Sequence, residues 1–208
     1  ESQILWYVEV HCISGILEAA PSNEFTQHGV CLAKLPDFGS LAMSKAVLAA
    51  LENYHCGRDL ICLSSILSVL NTTNVLKSLP QNMKSSGGDF MTLLNIMNDV
   101  LLVKQSVPTD QFDLDRFCKT TGLDCIRHII KQALDRYTSL EKAFHSSSNY
   151  RQEAQIRSGN WKYVAKSLLA GYSDNVFVSM KDLQEKTHQY GRYKDTTDLA
   201  ILDLQSTL

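Results

Sequence analysis

The sequence predicts a mainly α-helical fold that ends in a small β-containing part. Apolar residues between Asp89 and Lys104 recur at the three- and four-residue spacing of one helix face. A second apolar stripe of this kind runs from Asp59 to Leu70. In contrast, residues 175–180 are a short run of β-branched and aromatic residues, which favours a strand.

The first elements are predicted to be two helices separated by a turn. Residues 4–16 carry apolar residues at helical spacing, and Pro21 follows in a turn signal. Thr26 is placed to cap a short helix over residues 27–34, because its hydroxyl can accept a free backbone N–H of the first turn. Gly29 within that helix costs about 1 kcal/mol relative to alanine, so we expect a close packing contact there.

Two further helices are predicted before the middle of the chain. Residues 40–54 are apolar on most sides, and Gly57 stands where a C-terminal glycine would end their helix. Asp59 is the expected N-cap of the helix over residues 59–70.

A polar segment precedes the clearest helix of the chain. Residues 77–88 contain the Gly87-Gly88 pair and predict an exposed, mobile loop. A phosphate-cradling loop is the alternative, although the pattern G-x-x-x-x-G-K-[ST] is absent. Asp89 is the expected cap of the next helix, since its charge suits the positive helix N-terminus. Leu94 belongs to the apolar stripe and is predicted to be buried.

The remaining elements are two paired helices, one short helix and a β-rich end. Residues 110–118 and 123–144 are helical in pattern, with an interruption at Gly122. Residues 161–169 predict a short helix, and residues 199–204 alternate weakly as a second strand.

The charge balance argues against a self-sufficient nucleic-acid binder. The 208 residues contain 20 Lys and Arg against 22 Asp and Glu, a formal net charge of −2. A protein that holds nucleic acid alone usually presents a basic face. Any nucleic-acid contact is therefore expected to be local and to supplement a grip supplied elsewhere.

The cysteines and the apolar runs indicate an intracellular protein, in the nucleus or the cytoplasm, with no membrane partner. The six cysteines follow no disulfide-like or zinc-ligand spacing. We expect mostly buried, reduced thiols that pack as small apolar groups. The longest apolar-rich run, residues 60–70, is shorter than the roughly 20 residues that span a bilayer. The chain starts at Glu1 without a signal-peptide pattern, and we expect it to be a fragment of a longer protein.

Five motifs occur in a particular order along the chain. The first is Phe25-Thr26-x-x-Gly29-x-x-Leu32-Ala33-x-Leu35-Pro36, and the third is Gly88-Asp89-Phe90-x-Thr92-Leu93-Leu94. The others lie in residues 67–75, 117–129 and 158–165. In this order and spacing they resemble the C-terminal helicase-associated region of DEAH-box and RHA-type RNA helicases. The resemblance covers most of residues 13–180, with Phe90 at a position where the family commonly has histidine.

The resemblance implies three parts in this chain. Residues 1–56 would form a degenerate winged-helix domain. Residues 57–157 would form a helical-bundle, ratchet-like domain, and residues 158–208 the start of an OB-like fold, with the pattern lost beyond Met180.

The resemblance also implies a function. The chain would be an accessory module that helps enclose single-stranded RNA while RecA-like domains of the same polypeptide hydrolyse ATP with Mg. No P-loop, catalytic motif or metal-ligand motif occurs in the sequence, so no enzymatic activity or cofactor is expected of this part. A protein activator is a further candidate partner. The alternative is a protein-interaction or scaffold domain that kept the fold without binding RNA.

Two groups of residues are candidates for RNA contact. The first lies along the long helix and just before it, and consists of Lys119, Arg127 and Lys131. An ordinary solvated face with i,i+4 pairs is the alternative for this group. The second combines aromatic and cationic side chains that can stack bases and hold phosphates, and consists of Tyr190, Arg192, Tyr193 and Lys194. Trp161 and Phe177 are expected to fill the core of the β-containing part instead.

Overall fold

The computed structural model describes residue 16 and residues 24–70, 74–108, 111–147, 150–173, 176–180, 189–192 and 199–201. The described chain is mainly helical, as predicted. Its helices are α1 (Gln27–Ala33), α2 (Leu41–Glu52), α3 (Gly57–Leu67), α4 (Asn74–Lys77), α5 (Asp89–Ser106), α6 (Leu114–Thr121), α7 (Arg127–Ser147) and α8 (Trp161–Gly171). Short 3₁₀ turns lie at Gln81–Met83, Asp124–Ile126 and Glu153–Gln155.

Side-chain caps explain where several helices begin. The Thr26 hydroxyl accepts from the backbone N–H of Gly29 at 3.0 Å, which confirms the predicted cap of α1. Ser40, Asp113 and Asn160 cap α2, α6 and α8 in the same way. Gly122 ends α6 in the left-handed conformation at φ 75°, so the predicted interruption between α6 and α7 is confirmed.

Helix α3 lies at the centre of the helical part. It packs against α2, α5 and α7, and α8 packs against α2. The apolar stripe of α5 faces this core, and Leu94 is buried with 3% of its surface exposed, as predicted. The core extends without a break from Phe38 to Leu168, across both predicted domain boundaries. The division into winged-helix, ratchet-like and OB-like parts stays a prediction.

Two glycines mark places where the backbone packs too closely for a side chain. A Cβ at Gly29 would lie 2.2 Å from the carbonyl oxygen of Ile16, which confirms the expected packing contact in α1. A Cβ at Gly171 would lie 2.1 Å from the carbonyl oxygen of Ala42. This second contact brings the end of α8 directly onto the backbone of α2.

The predicted caps at Asp59 and Asp89 are wrong, and so is the predicted role of Gly57. Helix α3 already begins at Gly57, where a Cβ would lie 2.5 Å from the carbonyl oxygen of Glu153. This close approach of residues 153–154 explains why position 57 is a glycine. Because the helix begins at Gly57, Asp59 lies inside the first turn of α3. Helix α5 has Gly88 as its N-cap residue, at φ 95°, and Asp89 is its first helical residue.

The predicted exposed loop over residues 77–88 is also wrong in part. Leu79 is buried with 4% of its surface exposed, and a 3₁₀ turn follows it. The end of the segment is held by Thr92, whose hydroxyl accepts from the N–H of Ser85 at 2.9 Å and donates to the carbonyl of Gly88 at 3.1 Å. The burial of Leu79 and the two hydrogen bonds of Thr92 therefore order much of a segment whose composition predicted a loop.

The C-terminal part contains an antiparallel sheet in the order β1-β2-β3. The strands are β1 (Phe177–Met180), β2 (Gln189–Arg192) and β3 (Leu199–Ile201). The first and third confirm the predicted strands, with β3 ending earlier than expected, and the second was not predicted. Phe177 pairs with Arg192, and Gln189 pairs with Ile201. The helix predicted over residues 4–16 lies outside the described residues, apart from residue 16.

Candidate nucleic-acid interface

The predicted cationic face at α6 and α7 is a mixed, solvated surface. Lys119 and Lys131 are exposed. The Arg127 guanidinium pairs with the Asp115 carboxylate at 3.1 Å, and both side chains are largely exposed, at 46% and 63%. Exposed pairs of this kind contribute about 0–1 kcal/mol and are screened by salt. The structure brings an acid to Arg127, and it assigns no role in RNA contact to any of the three cations.

Two of the four residues of the second predicted group lie in strand β2. Tyr190 and Arg192 lie two residues apart in β2. Tyr193 and Lys194 lie outside the described residues. Their contact with RNA stays a prediction.

A buried carboxylate organises a different site at the first turn of α3. Asp59 is 3% exposed, and its Oδ2 accepts from the backbone N–H of Ser158 at 3.0 Å. The N–H of Gly159 is a second donor to the carboxylate, and the Arg157 Nε lies 3.8 Å from its Oδ1. Asp59 therefore holds the turn over residues 157–160, which leads directly into α8.

Burial controls the protonation of this carboxylate. Desolvation raises the pKa of Asp59 from its ordinary value of 3.8. The hydrogen bond from Ser158 and the charges of Arg157 and Arg58 act in the opposite direction and offset part of this effect. The hydrogen-bond donors and cations around Asp59 therefore stabilise its charged form only in part.

The turn that Asp59 holds forms one wall of a narrow cleft beside α5. The cleft has a volume of about 50 Å³, and its apolar base contains Leu94 and Val164. Its polar lining consists of Asp59, Asn95, Asn98, Arg157 and Asn160. Three amides, a half-exposed guanidinium and an apolar base therefore meet in one small space.

Trp161 lies at this cleft as the first residue of α8. It is 54% exposed, so the prediction that it fills a core is wrong. The Asn160 side chain accepts from the N–H of Lys162 at 3.0 Å and fixes the start of the helix that carries the indole. Two residues further along α8, Tyr163 is 41% exposed and stacks on Tyr54 with ring centroids 6.4 Å apart. The exposed indole is placed on a fixed backbone beside hydrogen-bonding groups.

This arrangement suits the recognition of a planar, polar group. An exposed indole can stack on a base, because every base has a π-face. Asparagine amides offer both donors and acceptors, and an arginine can contact a phosphate or a second ring face. Sequence reasoning missed Asn95, Asn98 and Arg157, because their meeting depends on the packing of α5 against the turn that precedes α8.

The cysteines and potential metal ligands in the described part of the chain form no further site. Cys56, Cys62 and Cys118 are buried, and burial raises the pKa of each thiol, to about 12 for Cys62. Cys125 is exposed, and Cys31 is half-buried. Among the described residues there is no group of three or more His, Cys, Asp or Glu that could hold a metal ion. Within the same residues, no helix is both long and apolar enough to cross a membrane.

Comparison with known proteins assigns no family to the chain. No protein-family model matches it, and no curated protein matches its sequence. The resemblance to the helicase-associated region therefore depends on the five motifs alone and stays a prediction.

Proposed function

We propose that the chain is an accessory module of a DEAH-box-type RNA helicase that helps to hold single-stranded RNA. The RecA-like domains that hydrolyse ATP lie elsewhere in the parent protein, and this part supplies no catalytic residue. The order of the five motifs supports the family. The Asp59 cleft, with Trp161 beside it, supports the contact with RNA.

The single observation that carries the proposal is the exposed indole beside the polar cleft. Base stacking on aromatic side chains contributes about 1–3 kcal/mol per base and tolerates any sequence. The half-exposed guanidinium of Arg157 adds a cation beside the ring. The net charge of −2 leaves few phosphate contacts to this part, so binding by the isolated chain is expected to be weak.

A titration with fluorescent RNA tests the proposal. Single-stranded RNA should bind weakly, and the logarithm of its affinity should fall with the logarithm of salt by about 0.7 for each phosphate neutralised. Trp161→Ala should weaken this binding by about 1–3 kcal/mol. Leu169→Ala is the matched control, because Leu169 lies in the same helix and is also 54% exposed. Both variants should melt at the temperature of the parent.

Two results would contradict the proposal. The first is equal RNA affinity of the parent chain, Trp161→Ala and Leu169→Ala. The second is ATP hydrolysis by the purified chain, because the sequence holds no P-loop.

A protein-interaction domain is the second candidate, and one observation favours it. Leu102 is 60% exposed and Val103 is 37% exposed near the end of α5. A groove of about 730 Å³ lies between this end of α5 and α6, and it is lined in part by Val103, Phe112 and Phe117. Exposed apolar side chains beside a groove are typical of surfaces that bind another protein. In this case Leu102→Asp should abolish partner binding and leave RNA affinity unchanged.

A further inference from the structure

A second pocket lies beside the start of α3 and shares no lining residue with the Asp59 cleft. It has a volume of about 330 Å³, which is within the range of small-molecule sites. Four segments surround it: the start of α3, the end of α5, the C-terminal half of α7, and residues 151–155. None of the residues predicted from the sequence to contact RNA lines this pocket.

The pocket has an apolar floor and a polar rim. Ile61, Phe144 and Ala154 form the floor and are at most 9% exposed. The rim carries hydrogen-bonding and charged side chains, which are Arg58, Gln105, Glu141, His145, Arg151 and Gln155. A ligand that fits this lining has a flat or apolar body and a polar periphery.

Arg58 is held in place at the inner side of the rim. Its backbone N–H donates to the carbonyl of Ile156 at 3.1 Å, and its side chain hydrogen-bonds to the Tyr137 hydroxyl. Burial raises the pKa of Tyr137, which is 6% exposed, so this hydroxyl stays protonated. Because a guanidinium only donates, the Tyr137 oxygen accepts from Arg58 and keeps its own proton for another acceptor.

The rim has more positive than negative charge. Arg58 and Arg151 face a single carboxylate in the lining, that of Glu141. Among the described residues, neither Arg151 nor Glu141 forms an ion pair. Two arginines together favour phosphate, because each guanidinium presents several donors in a rigid fork.

The remaining rim groups suit the edge of a nucleobase. The Gln155 Nε2 lies 3.4 Å from the His145 Nε2, so this amide is positioned at the rim. Gln105 offers a second amide, and Glu141 can accept from an exocyclic amine. The apolar floor can pack against the face of a base.

We propose that this pocket binds a nucleoside monophosphate, with the phosphate on Arg58 and Arg151 and the base on the apolar floor. The nucleotide is either free or the phosphorylated terminal residue of a strand. The site is independent of the proposed function, because it shares no side chain with the Asp59 cleft.

A titration by two-dimensional NMR on the full chain tests the proposal. AMP should shift the backbone amides of Ala154 and Gln155, and adenosine and inorganic phosphate should each bind at least about tenfold more weakly. A 5′-phosphorylated short RNA, compared with its unphosphorylated form, distinguishes the terminal nucleotide from the free one. Arg151→Gln should weaken AMP binding by about tenfold or more, as expected when a charge-assisted hydrogen bond is lost.

Lys142→Gln is the matched control for that variant. Lys142 is an exposed cation beside Glu141 on α7, and it does not line the pocket. The AMP affinity of the Lys142→Gln variant should equal that of the parent chain. Equal loss in both variants, equal binding of phosphate and AMP, or no shift at millimolar AMP would each overturn the proposal.

Discussion

Two arginine–aspartate pairs in this chain differ in a way that their distances do not reveal. Arg127 lies 3.1 Å from Asp115 on the open surface, and Arg157 lies 3.8 Å from Asp59 at the first turn of α3. The shorter pair is solvated on both sides, whereas the Asp59 carboxylate is 3% exposed and also accepts backbone N–H groups. Burial and backbone partners, more than separation, decide which pair constrains the fold.

The same difference separates the two surfaces as candidate RNA contacts. The cations on α6 and α7 are exposed, and an acid lies beside Arg127. At the Asp59 cleft, the anchor fixes a turn, the turn fixes the start of α8, and that start carries Trp161. An indole has fewer rotatable bonds than a lysine or arginine side chain, so it loses less entropy when it binds. We therefore rank the cleft above the cationic face.

The largest expected effect comes from the base of the cleft. Leu94→Ala should lower the free energy of unfolding by about 2–5 kcal/mol, because it leaves a cavity in the core against which α5 packs. Leu102→Ala on the same helix is the control and should change stability by at most about 0.5 kcal/mol. Chemical denaturation measures both. An unchanged midpoint for Leu94→Ala would show that the register of α5 is wrong.

The comparison of the two ion pairs can be tested directly. Asp59→Ala should cost about 1–3 kcal/mol, because the partly buried N–H donor of Ser158 loses a buried acceptor and the carboxylate leaves a gap beneath the turn. Asp115→Ala should cost at most about 1 kcal/mol, since its pair is exposed. Thermal or urea melts of the two variants measure the difference. Equal costs would remove the distinction between the pairs.

The pH dependence of stability sharpens the same comparison. Because the folded pKa of Asp59 is raised above its unfolded value, its ionisation disfavours the folded state. The wild-type chain should therefore lose stability relative to Asp59→Asn as the pH rises from about 3.8 through the folded pKa, and the difference should then stay constant. Urea melts at several pH values measure it. A wild-type advantage that grows with pH would mean that hydrogen bonding outweighs desolvation.

A small effect on stability is also expected from the cationic face. Reversing Arg127 and Lys131 to Glu should lower the free energy of unfolding by at most about 1 kcal/mol, because both side chains are exposed and the Arg127–Asp115 pair that is lost is solvated. If these residues contact RNA, the double variant should also lower the RNA affinity of the chain, or the RNA-stimulated ATPase of the parent protein. Normal folding with unchanged RNA affinity would remove them from the site and leave the cleft as the remaining candidate in the helical part.

Local signals made some features of the fold predictable. Thr26 caps α1 because a hydroxyl before a helix can accept an orphan N–H, which depends on neighbouring residues alone. Leu94 is buried because its spacing within α5 sets one face of the helix. Gly122 ends α6 because glycine adopts positive φ without strain.

The candidate site was much less predictable. Trp161 was expected in a core because large aromatic residues are mostly buried, and sequence alone does not say which of them faces solvent. Asp59 was expected to cap a helix, because aspartate before an apolar stripe usually does so. Its real partners are Arg157, Ser158 and Gly159, about a hundred residues away along the chain.

The sequence by itself determined the helical fold class, most of the described helices, two of the three strands in the described residues, and the motif order behind the proposed family. These depend on periodicity and local chemistry, which act over a few residues. The tertiary structure decided where α3 begins, which acid is buried, and which side chains meet at the Asp59 cleft and at the second pocket. Those outcomes depend on close contacts between backbone segments that are distant in sequence, such as the contact of Gly57 with the carbonyl of Glu153. Burial by distant segments has no local signal, so it appears only when the helices have packed.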